Sequence, residues 1–138
     1  MARTLILDSE ALNALARPRE RSALALRARA ILAVAHEEQA LVRVPAPVLA
    51  EVCRGGARDA PIDHVLSDRG IIVAPLTANI ARRAGAILAR AKLSSAHAID
   101  AFVVATALEL GSTIIATHDP HDMRRLAAGH RDVRVLQI

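Results

Sequence analysis

Five short apolar runs punctuate the chain: Thr4-Leu5-Ile6-Leu7, Leu41-Val42-Arg43-Val44, Ile71-Ile72-Val73, Thr113-Ile114-Ile115-Ala116 and Val133-Arg134-Val135-Leu136. Each is too short for a helix and rich in β-branched residues, the pattern of a buried strand. Between the runs the spacing turns helical. Asp8 or Ser9 can cap a helix over 10–16 that Pro18 stops, and 20–38 is Ala-, Leu- and Arg-rich with no Gly or Pro inside. Pro47 starts a short helix carrying Val48, Leu49, Glu51 and Val52, which Gly55-Gly56 ends. Residues 58–69 read as a further helix interrupted by Pro61. Thr77 caps the clearest amphipathic helix, with Ile80, Ala84, Ile87, Leu88 and Ala91 on one face and Asn79, Arg83 and Arg90 on the other. Ser94 or Ser95 opens a helix that Gly111 closes, and a short helix over 123–128 leads into the last strand. Strands alternating with helices predict an α/β sandwich around a mostly parallel five-stranded sheet, and 138 residues predict a single domain.

One position breaks the pattern. The helix Ala98-Ile99-Asp100-Ala101-Phe102-Val103-Val104-Ala105-Thr106-Ala107-Leu108 is apolar all round and so belongs in the interior, yet it carries a carboxylate in its first turn. An ionised Asp is rarely buried without a partner. In parallel α/β folds ligands bind beyond the carboxyl ends of the strands. Asp8 ends the first strand and Asp119 follows the fourth, so both fall on that edge. Glu51, on the helix after the second strand, flanks an apolar stripe and is expected half-buried; Asp122 lies one turn beyond Asp119. Taken singly, Asp8 reads as a helix cap, Asp119-Pro120 as a turn, Glu51 as a solvated residue and Asp100 as a salt-bridge partner for an arginine such as Arg82. Taken together, several carboxylates on one edge repel one another unless they hold protons or cations. Hard oxygen ligands favour Mg²⁺ or Mn²⁺, and two such ions about 3.5–4 Å apart can act on a phosphodiester.

Composition narrows the chemistry. Phe102 is the only aromatic residue, which removes base stacking on an aromatic platform and leaves Leu, Ile, Val and Ala to build the core. Eighteen basic residues, all but Lys92 arginine, stand against fourteen acidic ones, a balance compatible with a polyanionic partner. Cys53 is the sole cysteine, reads as a small packed residue and suits a reducing cytosol. The first strand begins almost at the N-terminus, with no room for a signal peptide, and no apolar run approaches the about 18 residues of a membrane span. A cytoplasmic protein with no membrane association is expected. No GxGxxG or GxxxxGK[ST] motif is present. His118 and His121 flank Pro120 awkwardly for a shared metal. Glu10 stands where a haloacid-dehalogenase-like phosphatase needs its second Asp, and Ala74-Pro75 where a receiver domain needs its phosphoacceptor.

Leu5-Ile6-Leu7-Asp8-Ser9-Glu10-Ala11-Leu12, Pro47-Val48-Leu49-Ala50-Glu51-Val52, Ala98-Ile99-Asp100-Ala101-Phe102-Val103-Val104-Ala105-Thr106-Ala107 and Ala116-Thr117-His118-Asp119-Pro120-His121-Asp122 resemble, in order and spacing, the successive motifs of PIN-domain ribonucleases. The nearest likeness is to the VapC-type toxins of toxin–antitoxin pairs. The resemblance implies a PIN-like three-layer sandwich and Mg²⁺- or Mn²⁺-dependent cleavage of single-stranded or looped RNA. It implies Asp8, Glu51, Asp100 and Asp119 as the metal-binding, catalytic acids, with Asp122 as a weaker further acid and Ser9 or Thr117 as a supporting hydroxyl. A cognate antitoxin and a homodimer follow by the same route, the helix over 20–38 offering apolar surface for the latter. Arg54 and Arg58, flanking Gly55-Gly56 just after Glu51, are placed to reach RNA phosphates; Arg83 and Arg90 form a one-sided stripe. Two positions depart from the pattern: Glu10, where many members carry a small polar residue, and Met123, where an aromatic often stands. Glu10 keeps open a second reading, a PIN-like fold that binds protein or RNA without useful catalysis.

Overall fold

The computed structural model describes residues 3–138. Five strands, β1 (Thr4–Leu7), β2 (Leu41–Pro45), β3 (Ile71–Ala74), β4 (Thr113–Thr117) and β5 (Val133–Gln137), form one sheet in the order β3-β2-β1-β4-β5. Every pairing is parallel, so the sheet is all-parallel rather than mostly so. The chain lays β1, β2 and β3 outward in one direction and then returns to place β4 on the other side of β1. Leu7 pairs with Ala116 there, which makes the β1/β4 seam the topological switch point.

The helices α1 (Ser9–Ala16), α2 (Ser22–Glu37), α3 (Val48–Val52) and α4 (Ala60–Leu66) form one group around α1, and α5 (Ala78–Ala91), α6 (Ala98–Leu110) and α7 (Pro120–Ala127) form the other. Covered on both sides, β1 is buried at all four positions, whereas edge strand β5 exposes Arg134 and Leu136. The core is aliphatic: Ile6, Leu7, Leu12, Ile62, Ile115, Met123 and Leu126 are its largest fully buried side chains. Met123 thus fills an interior position with an unbranched, adaptable side chain. In α6 the small residues Ala101, Ala105 and Ala107 are fully buried, letting the helix backbone lie close to its neighbours.

Several element boundaries differ from those read in the sequence. Pro61 does not interrupt a helix; it sits in the first turn of α4, where its missing N–H costs nothing, after a 3₁₀ turn over Gly56–Asp59. Pro120 does the same for α7, which begins three residues earlier than expected. Helix α3 ends at Val52, ahead of Gly55 (φ +93°) and Gly56 (φ +61°), whose left-handed backbone turns the chain into the 3₁₀ segment. Ser94 caps the short turn Ser95–His97 rather than α6 itself, which has no side-chain cap. The interior run of α6 starts at Ala101, so Asp100 is half-buried at the helix's mouth. Among the described residues no helix is long and apolar enough to cross a membrane.

Candidate active site

The switch point carries Asp8. Its backbone N–H reaches the Ala116 carbonyl at 3.4 Å, and its Oδ1 accepts the Ala11 N–H at 2.9 Å, making it the N-cap of α1. The residue is only 6% exposed, so capping and burial coincide in one side chain. Burial pushes its pKa up to about 6, and the charges of Asp100 and Glu10 add to the rise, against the Thr117 side chain and the Ala11 amide, which favour the anion. The Thr117 hydroxyl accepts the Asp119 N–H at 3.3 Å and so holds the turn that leaves β4.

Asp100 sits at the start of α6 and its pKa is also raised. Burial is the first cause, followed by the charge of Glu51; His97 lowers it, and Asp122 and Asp119 raise it again. Glu51 is exposed, not half-buried as expected, because α3 spans only five residues and turns only Val48 and Val52 fully inward. The Ser9 hydroxyl donates to Glu51 Oε1, tying the start of α1 to α3. Asp119 is exposed at the N-cap position of α7 with no capping bond. Asp122 is half-buried, 3.5 Å from His97 Nδ1 and 3.9 Å from Arg125 Nη1.

His97 is the neighbour sequence reading missed. Its one signal was its place three residues before Asp100, which is invisible until the 3₁₀ turn brings it against α7. Glu10 pairs with Arg21 at 2.6 Å. Arg54 folds back on α3, its guanidinium donating to the carbonyls of Ala50 (3.1 Å) and Cys53 (2.7 Å). Arg58 is exposed, and its carbonyl accepts from Arg17 at 2.9 Å. His118 Nδ1 lies 3.3 Å from the Ile138 carbonyl, and His121 is exposed. Burial, together with Asp59 and Asp63, raises the Cys53 pKa, the opposite of what a reactive thiol needs.

Among the described residues no three His, Cys, Asp or Glu side chains converge tightly enough to form a ready-made metal cage. The acids are nonetheless electrostatic neighbours, with Asp100 feeling Glu51, Asp122 and Asp119, and Asp8 feeling Asp100. The ion pairs among the described residues involve Glu10, Glu109 and Asp122; none reaches Asp8, Glu51, Asp100 or Asp119, and Arg82 does not pair with Asp100. A set of carboxylate oxygens without a cationic side chain between them fits a hard divalent cation in its chemistry.

The family model for the PIN domain matches residues 5–129. The chain belongs to the PIN domain family. PIN domains are generally nucleases. In three dimensions this PIN domain is similar to a chain of a toxin–antitoxin complex from Klebsiella pneumoniae (TM-score 0.65, 20% identity, 97% of this chain and 99% of that one). It is similar also to a chain of VapBC2 from Rickettsia felis, solved bound to a DNA fragment from its promoter (TM-score 0.67, 13% identity, 98% of each chain). At these identities the likeness is one of fold. No curated protein matches the chain in sequence.

Proposed function

We propose that this PIN domain is a divalent-metal-dependent endoribonuclease acting on single-stranded or looped RNA, and the toxin of a toxin–antitoxin pair. The observation that carries the reading is the acids around Asp100, whose charge is disfavoured by Glu51 and Asp119 and in turn disfavours that of Asp8, with no Lys or Arg ion-paired to any of the four among the described residues. Asp8, Glu51, Asp100 and Asp119 would hold one or two Mg²⁺ or Mn²⁺ ions, with Asp122 as a further oxygen donor. When bound, the metal supplies Lewis-acid activation of water and neutralises charge on the phosphodiester. The chain's part is placement. Ser9 fixes Glu51, Thr117 holds the turn that carries Asp119 and favours the Asp8 anion, and His97 steadies Asp122 while easing the crowding of charge around Asp100. Arg58 offers an exposed phosphate contact; Arg54 would have to leave the α3 carbonyls to do so.

The partners follow the same reading. An antitoxin would mask the acidic edge, in keeping with the toxin–antitoxin assemblies in which the structural neighbours occur. A homodimer would cover the exposed Leu26 and Val34 of α2 and the apolar cleft of about 300 Å3 between α2 and the sheet. The whole chain acts as one domain in the cytoplasm. Glu10, the residue that favoured a non-catalytic binding module, is occupied by Arg21 and leaves the acids unobstructed.

The test is cleavage of several structured RNAs by purified protein with Mg²⁺ or Mn²⁺, with chelator, and with Asp100→Asn. Cutting that needs metal and drops at least about 100-fold in the variant supports the reading. Intact RNA under every metal, with the protein folded, overturns it.

A further inference from the structure

The edge of the sheet opposite the acids has its own charge. At the amino ends of β1, β4 and β5 the turns are stitched together, the Thr4 N–H donating to the Ser112 carbonyl (3.0 Å) and the Thr113 N–H to the Asp132 carbonyl (2.8 Å). That stitching gathers Arg3, Arg131 and Arg134 around a concavity of about 220 Å3 that Ser112 also lines. Arg134 enters it from β5 because it pairs in register with Ile114 of β4, which forms part of the floor. Asp132 is the only acid in the lining, so the cluster keeps a formal charge of +2.

Seven of the seventeen arginines are tied to the chain itself. Arg17, Arg21, Arg43, Arg54, Arg90 and Arg125 donate to carbonyls or carboxylates of the chain, and Arg83 forms an ion pair with Glu109 at 3.7 Å. Arg3, Arg131 and Arg134 have no such partner among the described residues, and of the arginines left free in this way they are the three that line this one concavity. Three guanidiniums drawn together against the single carboxylate of Asp132 repel one another, and an anion relieves that cost.

We infer that this cluster is a second RNA-binding site, one that grips backbone phosphates of the strand whose cleavage we assign to the acidic edge. The inference rests on the proposed ribonuclease function for its choice of polyanion. Arginine matches phosphate oxygens with two parallel N–H donors, and the lining has no aromatic face on which a base could stack, so the contact reads the backbone and not the sequence. Five strand residues, about 17 Å at 3.3 Å per residue, separate the two edges. An RNA held at both would therefore have to pass over the β4/β5 flank, which favours substrates with an extended tail beside the cut site.

The test is binding of a fluorescent single-stranded RNA of about twenty nucleotides to the full chain in chelator, so that nothing is cut, over a range of salt. Arg131→Gln/Arg134→Gln is compared with Arg27→Gln/Arg29→Gln, which removes equal charge from α2, and thermal unfolding verifies that both variants are folded. The inference predicts that the first pair weakens binding about tenfold or more and flattens the log–log salt slope by about 1.4, two phosphate contacts at about 0.7 each. Equal effects of the two pairs, or no binding by any of the proteins, overturn it. Cleavage by the unaltered protein with Mn²⁺ is scored separately. Cutting with equal binding effects removes this site and leaves the ribonuclease reading standing, while the predicted slope change without cutting does the reverse.

Discussion

The Asp8 carboxylate accepts the Ala11 amide as the cap of α1 while burial and the charge of Asp100 hold its pKa up near 6. The cap alone asks only for an oxygen, and Asn supplies one equally well. Because the folded pKa lies above the unfolded value of 3.8, the folded state binds the proton more tightly. The penalty is therefore absent below about pH 4, grows as pH rises through the window from 3.8 to about 6, and is complete above it. At about 1.4 kcal/mol per pKa unit it is on the order of 1–3 kcal/mol at neutral pH. Asp8→Asn is accordingly expected to stabilise the metal-free protein at pH 7.5 and to have little effect at pH 4, measured by urea denaturation at both; a loss at pH 7.5 would mean the charge itself is structural. Asp100→Asn should leave metal-free stability equal or higher by the same test, since its charge too is disfavoured by burial and by Glu51. At this scale the sequence was informative about the acids that an apolar pattern makes anomalous. Asp100 stood out in an apolar helix, and Asp8 at a strand end. It was misleading about Glu51, because a five-residue helix is too short for spacing to fix a face, and silent about His97, whose role arises only where α7 meets the turn before α6.

The strands were legible because each is a compact run rich in β-branched apolar residues, and α5 because its period is unbroken from Ile80 to Ala91. Its start was legible as well: Thr77 caps it, its hydroxyl accepting the Ile80 N–H at 3.2 Å. Thr77→Ala should cost about 1 kcal/mol, read as a lower denaturation midpoint at an unchanged slope; no shift would show the cap to be idle. The elements misjudged were those where one residue type has two meanings. Proline breaks a helix in its interior but begins one in its first turn, and spacing alone does not tell which applies to Pro61. Ser94 looked like the cap of α6 because a single 3₁₀ turn between them leaves no mark in the pattern of polar and apolar residues.

Across the whole molecule the sheet decides which distant charges meet. The β3-β2-β1-β4-β5 order brings the carboxyl ends of β1 and β4 side by side, and with them acids contributed by α1, α3, α6 and the β4–α7 turn, residues more than a hundred positions apart. No local segment contains that site; only the order of the motifs along the chain announced it. The arginines of the opposite edge were not legible at all, because Arg3, Arg131 and Arg134 share no motif and meet only through strand register. A cation shared among the acids would relieve the strain that burial and like charge place on Asp8 and Asp100, and its affinity should fall as pH drops below about 6, where Asp8 takes up its proton. The most direct measurement is calorimetric titration of Mn²⁺ into the unaltered protein, Asp8→Asn, Asp100→Asn and, as a control, Glu10→Gln, whose acid is already paired with Arg21. Saturable binding is expected for the unaltered protein and for Glu10→Gln, weakened at least about tenfold in the two Asp variants. Undiminished binding by Asp8→Asn and Asp100→Asn, or no binding by the unaltered protein at pH 7.5, would contradict a cation shared among the acids.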